Sequence, residues 1–261
     1  MIRRLPALLL GLGLLHPIPT ALGQPEGPGG DLYADYETLL TRYVRDGEVD
    51  YARWKSDAPP AWDRFLAWLK MTDPRDWPLA DRRAFWINAY NASVVDGVLR
   101  RYPMDSVRDV GLLGGRIRGF FDRREHPVAG RMRTLDEIEK EILLEPPLGD
   151  AAVHWGLTCG SRGCPVLRTE PYRGGALERQ LEFQAATYLN GPTGHRIDPE
   201  TRTVYLSRIF DWYREDFEQA AGSVRAYAMR YLTGTALEAL RAGWDIEFID
   251  YDWRLNDAAG R

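Results

Sequence analysis

Along the chain, Leu32, Tyr36, Leu39, Leu40 and Tyr43 recur at intervals of three and four, and Trp62, Phe65, Leu66 and Leu69 do so again after Pro59 and Pro60. Such intervals place side chains on one face, so both patterns predict amphipathic helices. The stretch 47–51, Gly-Glu-Val-Asp-Tyr, reads as a short extended piece or turn between them. From Arg82 to Arg101 the pattern changes, because Ala84, Phe85, Trp86, Ile87, Tyr90 and Val94 with their neighbours leave almost no polar face. A helix that is apolar all round is a buried one. Asn88 and Asn91 lie three apart on it and share a face, where burial obliges each amide to find hydrogen-bond partners. They are structural pins or site residues.

Pro103 ends this helix, and Ile117 to Arg133 reads as a hairpin turning at 122–125. Thr134 followed three residues later by Glu137 has the capping-box form, and Ile138, Ile142 and Leu143 supply the stripe of a helix that Pro146 and Pro147 stop. The alternation of Val153, Trp155 and Leu157 predicts a strand over 153–158. Helices are expected over 174–188, 210–217, 224–232 and 236–241, with a polar hairpin around Asp198, Pro199 and Glu200 and a last strand over 244–249. Helices with a few scattered strands and no regular βα alternation predict a mostly helical α+β fold, a single domain over 31–261 with a small sheet.

The first residues add a compartment. Met1-Ile2-Arg3-Arg4 precedes an apolar run from Leu5 to Leu15, and small residues stand at Ala21 and Gly23. This reads as a signal peptide over 1–23, too short to span a bilayer, followed by a flexible lead-in over 24–30. A periplasmic or secreted protein without a membrane span is expected. Cleavage would remove Arg3, Arg4 and His16, taking the formal charge from −4 to −6 and leaving His126, His154 and His195. The 44% hydrophobic and 28% charged composition excludes intrinsic disorder, and an acidic chain without a basic run argues against nucleic acid as partner.

Both cysteines fall in one loop, Cys159-Gly160-Ser161-Arg162-Gly163-Cys164-Pro165. Glycines permit backbone conformations that aim successive N–H groups at one point, and Ser161 and Arg162 add donors. Three readings compete. Cys159 is a nucleophile with the loop amides as an oxyanion hole. Alternatively, Cys159 and Cys164 form a disulfide, as an oxidising compartment favours. In the third, Gly160, Ser161, Arg162, Gly163 and Arg168 bind an anion and the thiols are incidental. Two cysteines without a second Cys/His pair fall short of a zinc set, and neither a metal nor a cofactor is expected. If the strand runs to Cys159, alternation turns His154 away from it, which leaves His126 as candidate base and His195 as a loop residue.

Residues 84–92, 134–139, 159–165, 206–213 (Leu-Ser-Arg-Ile-Phe-Asp-Trp-Tyr) and 251–256 (Tyr-Asp-Trp-Arg-Leu-Asn) together resemble the domain-of-unknown-function family 547, of which exported bacterial proteins form one branch. The resemblance spans nearly all of the chain after the leader. It implies a papain-like, circularly permuted cysteine-hydrolase arrangement with Cys159 as nucleophile. Members carry His directly after the Ile-Glu pair, where this sequence has Lys140, one of only three lysines. An ammonium there would lower a thiol pKa yet shuttle protons poorly near neutrality.

Two classes of function follow. One is a cysteine-dependent hydrolase or acyl transferase, with Cys159 attacking, Asn88 or Asn91 assisting the oxyanion, and His126 or Lys140 moving protons. The other is a non-catalytic module holding an anionic or peptide ligand, or another small molecule, at the 159–165 loop.

Overall fold

The computed structural model describes residues 30–111 and 119–260. The leader 1–23, nearly all of the lead-in 24–30, and Ile117 lie outside the described residues; Gly30 already opens the first helix. The architecture is mostly helical α+β, with small separate sheets.

Helix α1 (Gly30–Tyr43) runs into a two-stranded ribbon, β1 (Val44–Arg45) and β2 (Glu48–Val49), where an extended piece or turn was expected. Asp50 then caps α2 (Tyr51–Asp57) by accepting from Arg53 N at 3.0 Å, and Pro60 sits in the first turn of α3 (Pro60–Met71), where its missing N–H costs nothing. Rings fix α1 against α3: Tyr36 stacks on Phe65 with centroids 4.2 Å apart, and Tyr33 meets Trp68 edge-on at 5.3 Å. Helix α4 (Leu79–Arg101) is buried almost throughout, including Phe85, Trp86, Tyr90, Val94 and Val98, as its all-round apolar pattern requires.

Two expectations are corrected beyond it. The hairpin is β3 (His126–Val128) with β4 (Arg131–Arg133), and it turns at Ala129 and Gly130 rather than at 122–125. Gly130 supplies the positive φ that such a tight turn needs. The segment 153–158 is no strand; Ala151–Trp155 is a 3-10 turn whose first N–H groups are capped by Asp150. Its apolar residues are buried on every side, so alternation carried no information about extension. The capping box forms as expected, with Glu137 N bonded to Thr134 Oγ1 at 2.9 Å and Thr134 N to Glu137 Oε2 at 3.0 Å. The helix it opens, Glu137–Leu143, is wound as a wide π-helix.

Helix α5 (Leu177–Leu189) and the hairpin β5 (His195–Asp198) and β6 (Thr203–Leu206) follow. The expected helix over 210–217 is split into α6 (Ile209–Trp212) and α7 (Arg214–Ala221); α8 (Val224–Ala228) and α9 (Gly234–Arg241) precede β7 (Asp245–Phe248), which pairs parallel with β6. Apolar side chains form two clusters. One surrounds α1–α4, and the other gathers Trp155, Phe210, Phe217, Tyr227 and Leu206 with the three-stranded sheet. Among the described residues no helix is long and apolar enough to cross a membrane.

Candidate functional site

Cys159 and Cys164 are joined as a disulfide, with Cα atoms 6.0 Å apart. Gly160, at φ +79°, turns the chain directly after Cys159 and packs against Val107 and Val94, a close approach that a side chain would obstruct. From there the loop pairs with the C-terminal segment. Asn256 N donates to Gly160 O (3.1 Å), Arg162 N to Arg254 O (2.9 Å) and Gly163 N to Asp252 O (2.9 Å). Cys159 N donates to Cys164 Sγ at 2.8 Å. The amides of Cys159, Arg162 and Gly163 are thereby engaged within the fold and are not free to hold an anion or oxyanion.

The other sequence candidates disperse. Asn88 clamps the backbone of Tyr172 through both ends of its amide, at 2.8 and 2.9 Å. Asn91 does the same between Gly156 O and Thr158 N, at 2.9 Å each. Both are pins, with their hydrogen-bonding capacity directed away from any oxyanion. Arg162 lies 3.4 Å from Glu48, and Arg168 bonds Glu170 at 3.0 Å while stacking on the Tyr172 and Phe183 rings. Neither lines the cavity described next. Ser161 is buried, its Oγ 2.9 Å from Cys159 Sγ. His126 is buried beside Gly97 and Phe120, with neither ring nitrogen hydrogen-bonded and Nε2 4.0 Å from Glu125, and burial with help from Arg100 pushes its pKa down to about 4. The structure does not bring it to the disulfide. Lys140 does reach the cavity, but its ammonium bonds Asp136 at 2.8 Å, which raises its pKa and keeps it charged.

The cavity, of about 290 Å³, has the disulfide in its wall. Its aromatic side is built by Tyr251, packed 4.7 Å from both Trp212 and Trp253, and Tyr90, Phe121 and Tyr213 also line it. The Tyr251 hydroxyl donates to Cys164 Sγ at 2.9 Å and lies 3.2 Å from Cys159 Sγ. Glu139, presented by the π-helix, receives the Tyr90 hydroxyl at 2.9 Å on one oxygen and the Tyr213 hydroxyl on the other. Burial, then the Glu139 charge, pushes both tyrosine pKa values up, so they stay protonated donors. A carboxylate offers about four lone-pair sites, so two donors leave it capacity for a third partner.

His154 lines the same cavity, because the 3-10 turn replaces the strand whose alternation had turned it away. Its Nε2 meets Asp216 Oδ2 at 2.7 Å, and its ring lies 4.1 Å from that of Tyr213. His195, by contrast, bonds Leu189 O at 2.7 Å, outside the cavity. Glu139, Asp216 and the aromatic wall were missed by sequence reasoning. Segments 134–139, 206–213 and 251–256 carried the signal for Glu139, Trp212, Tyr213, Tyr251 and Trp253, but only as marks of resemblance, and Asp216 lies outside them. Among the described residues no group of three His, Cys, Asp or Glu side chains is placed to hold a metal ion.

Residues 74–189 match the family described as "Protein of unknown function, DUF547". The match takes in Tyr90, Glu139, His154 and both cysteines, whereas Trp212, Tyr213, Tyr251 and Trp253 lie beyond it. No curated protein and no solved structure matches the chain.

Proposed function

We propose, building on the match of residues 74–189 to the DUF547 family, that the disulfide-walled cavity binds a small or peptide-like ligand bearing a cationic amine. The observation that carries this reading is Glu139, a carboxylate set among Tyr90, Tyr213 and the Trp212–Tyr251–Trp253 wall. Aromatic faces attract a cation and a carboxylate neutralises it, whereas Arg162 and Arg168, which an anionic ligand would need, are engaged elsewhere. Calorimetric titration of the oxidised protein with phenethylamine should show saturable binding, weakened about tenfold or more by Glu139→Gln, which preserves an acceptor for the tyrosines. Phenylacetate should not bind. Equal affinity for the two probes, or a Glu139→Gln variant that binds unchanged, would overturn the reading.

A second reading rests on His154 and Cys159 lining one cavity, with His154 held by Asp216. In the reduced protein the Cys159 thiolate would attack a carbonyl carbon, and His154, holding the thiol proton, would pass it to the leaving group; water would then hydrolyse the acyl-enzyme. This is the hydrolase or acyl transferase that the sequence resemblance implies. Iodoacetamide labelling of Cys159 after reduction should then slow on His154→Gln, and an unchanged rate would remove His154 from that role.

The same proposal takes the protein out of the cytoplasm, since residues 1–23 read as a leader and a disulfide persists in an oxidising compartment. Sequencing the mature N-terminus should return Gln24 or a close neighbour; Met1 would refute export by cleavage.

A further inference from the structure

A second cleft, of about 430 Å³, shares no lining residue with the first. It lies where the first turn of α4 meets β4 and the end of the π-helix, and four guanidinium groups line it: Arg75, Arg82, Arg131 and Arg133. Its one acid, Asp73, is already held by the Arg75 guanidinium through three bonds of 3.0, 2.8 and 2.5 Å. The other three have no carboxylate within ion-pair distance among the described residues.

Arg133 is the telling member. It is 7% exposed, donates Nε to Val128 O at 3.1 Å and lies over the Trp86 ring at 4.9 Å, yet its Nη1 is buried without a partner. The Nε of Arg82 is likewise buried and unpartnered. Burial and the neighbouring Arg131 both lower the Arg133 pKa, and Glu137 and Glu141 only partly offset them from beyond contact. A buried cation without a counter-charge is costly, and Arg stays protonated regardless. Convergent unpaired guanidinium groups in a concave site are what a multi-oxygen anion completes, because each fork matches two of its oxygens.

We propose that this cleft is an oxyanion site for a phosphoryl group, free or esterified, held by Arg82, Arg131 and Arg133. The Trp86 ring, Ile142 and Leu148 give it an apolar flank on which the organic part of an ester would rest.

The test is calorimetric titration of the full chain with sodium phosphate and with phenyl phosphate, at ionic strength matched by sodium chloride. Saturable binding of one ion per chain is expected. Arg82→Gln and the exposed Arg131→Gln should each weaken it about fivefold or more, with Arg241→Gln on α9 as unaffected control. Tighter binding of phenyl phosphate would assign the site to an ester, and equal binding to the free ion. Heats no different from chloride, or folded Arg82→Gln and Arg131→Gln variants that bind as the parent does, would overturn the site.

Discussion

Glu139 and Lys140 are neighbours in sequence, and the fold gives them different parts. Lys140 stands half outside the cavity, fixed as an ammonium by Asp136, while Glu139 is turned inward under two tyrosine hydroxyls. Sequence alone singled out the lysine, because it departs from a motif; the glutamate conforms and so drew no attention. His126 shows what burial does to one titratable group. Its folded pKa of about 4 lies below the ordinary 6.5, so the unfolded chain binds the proton more readily. The resulting stability is fully present above pH 6.5 and is lost as pH falls toward 4, by about 3 kcal/mol in all. Urea unfolding across that window should therefore show a steeper loss for the parent than for His126→Gln. Parallel pH profiles would show that His126 does not titrate in this way.

At the scale of elements, legibility followed the strength of local constraint. The helices α1, α3 and α4 were readable because their apolar spacing is long and flanked by proline. The capping box of 134–137 was readable too, although nothing in it announced the wide winding that follows, where Leu144 N bonds Glu139 O five residues back. Such π segments recur at functional sites, and this one carries Glu139. The failure at 153–158 has a tertiary cause. A strand needs a neighbour for its backbone, whereas here the Asn91 side chain supplies the partners of Gly156 O and Thr158 N from across the core. That substitution of an amide for a sheet neighbour lets the segment coil, and it is the coil that brings His154 to the cavity. The cysteine loop was found from spacing alone, but its role as a wall depended on a segment about 90 residues away.

For the molecule as a whole, that distant segment 251–256 is a strap that packs against both apolar clusters. Leu255 N bonds Asp105 O, Asn256 N bonds Gly160 O, and Val49 N bonds Asn256 O, while Tyr51 OH donates to Asn256 Oδ1 at 2.9 Å. Tyr251 and Trp253 project from the same strap into the cavity. Holding and lining are therefore done by different side chains, and substitutions should separate them. Asn256→Ala leaves the buried Tyr51 hydroxyl without its acceptor and should lower unfolding stability by about 1–3 kcal/mol, with phenethylamine affinity retained by the folded fraction. Trp253 is half-buried and packs on Trp212 and Tyr251, so Trp253→Ala should lower stability by about 1–2 kcal/mol, less than a fully buried tryptophan would cost. It removes one aromatic face from the cation, and affinity should fall about threefold to thirtyfold. Denaturant melts and titrations on the two variants read these quantities independently. A Trp253→Ala protein that binds as tightly as the parent would show that the strap merely closes the fold, with no part in recognition.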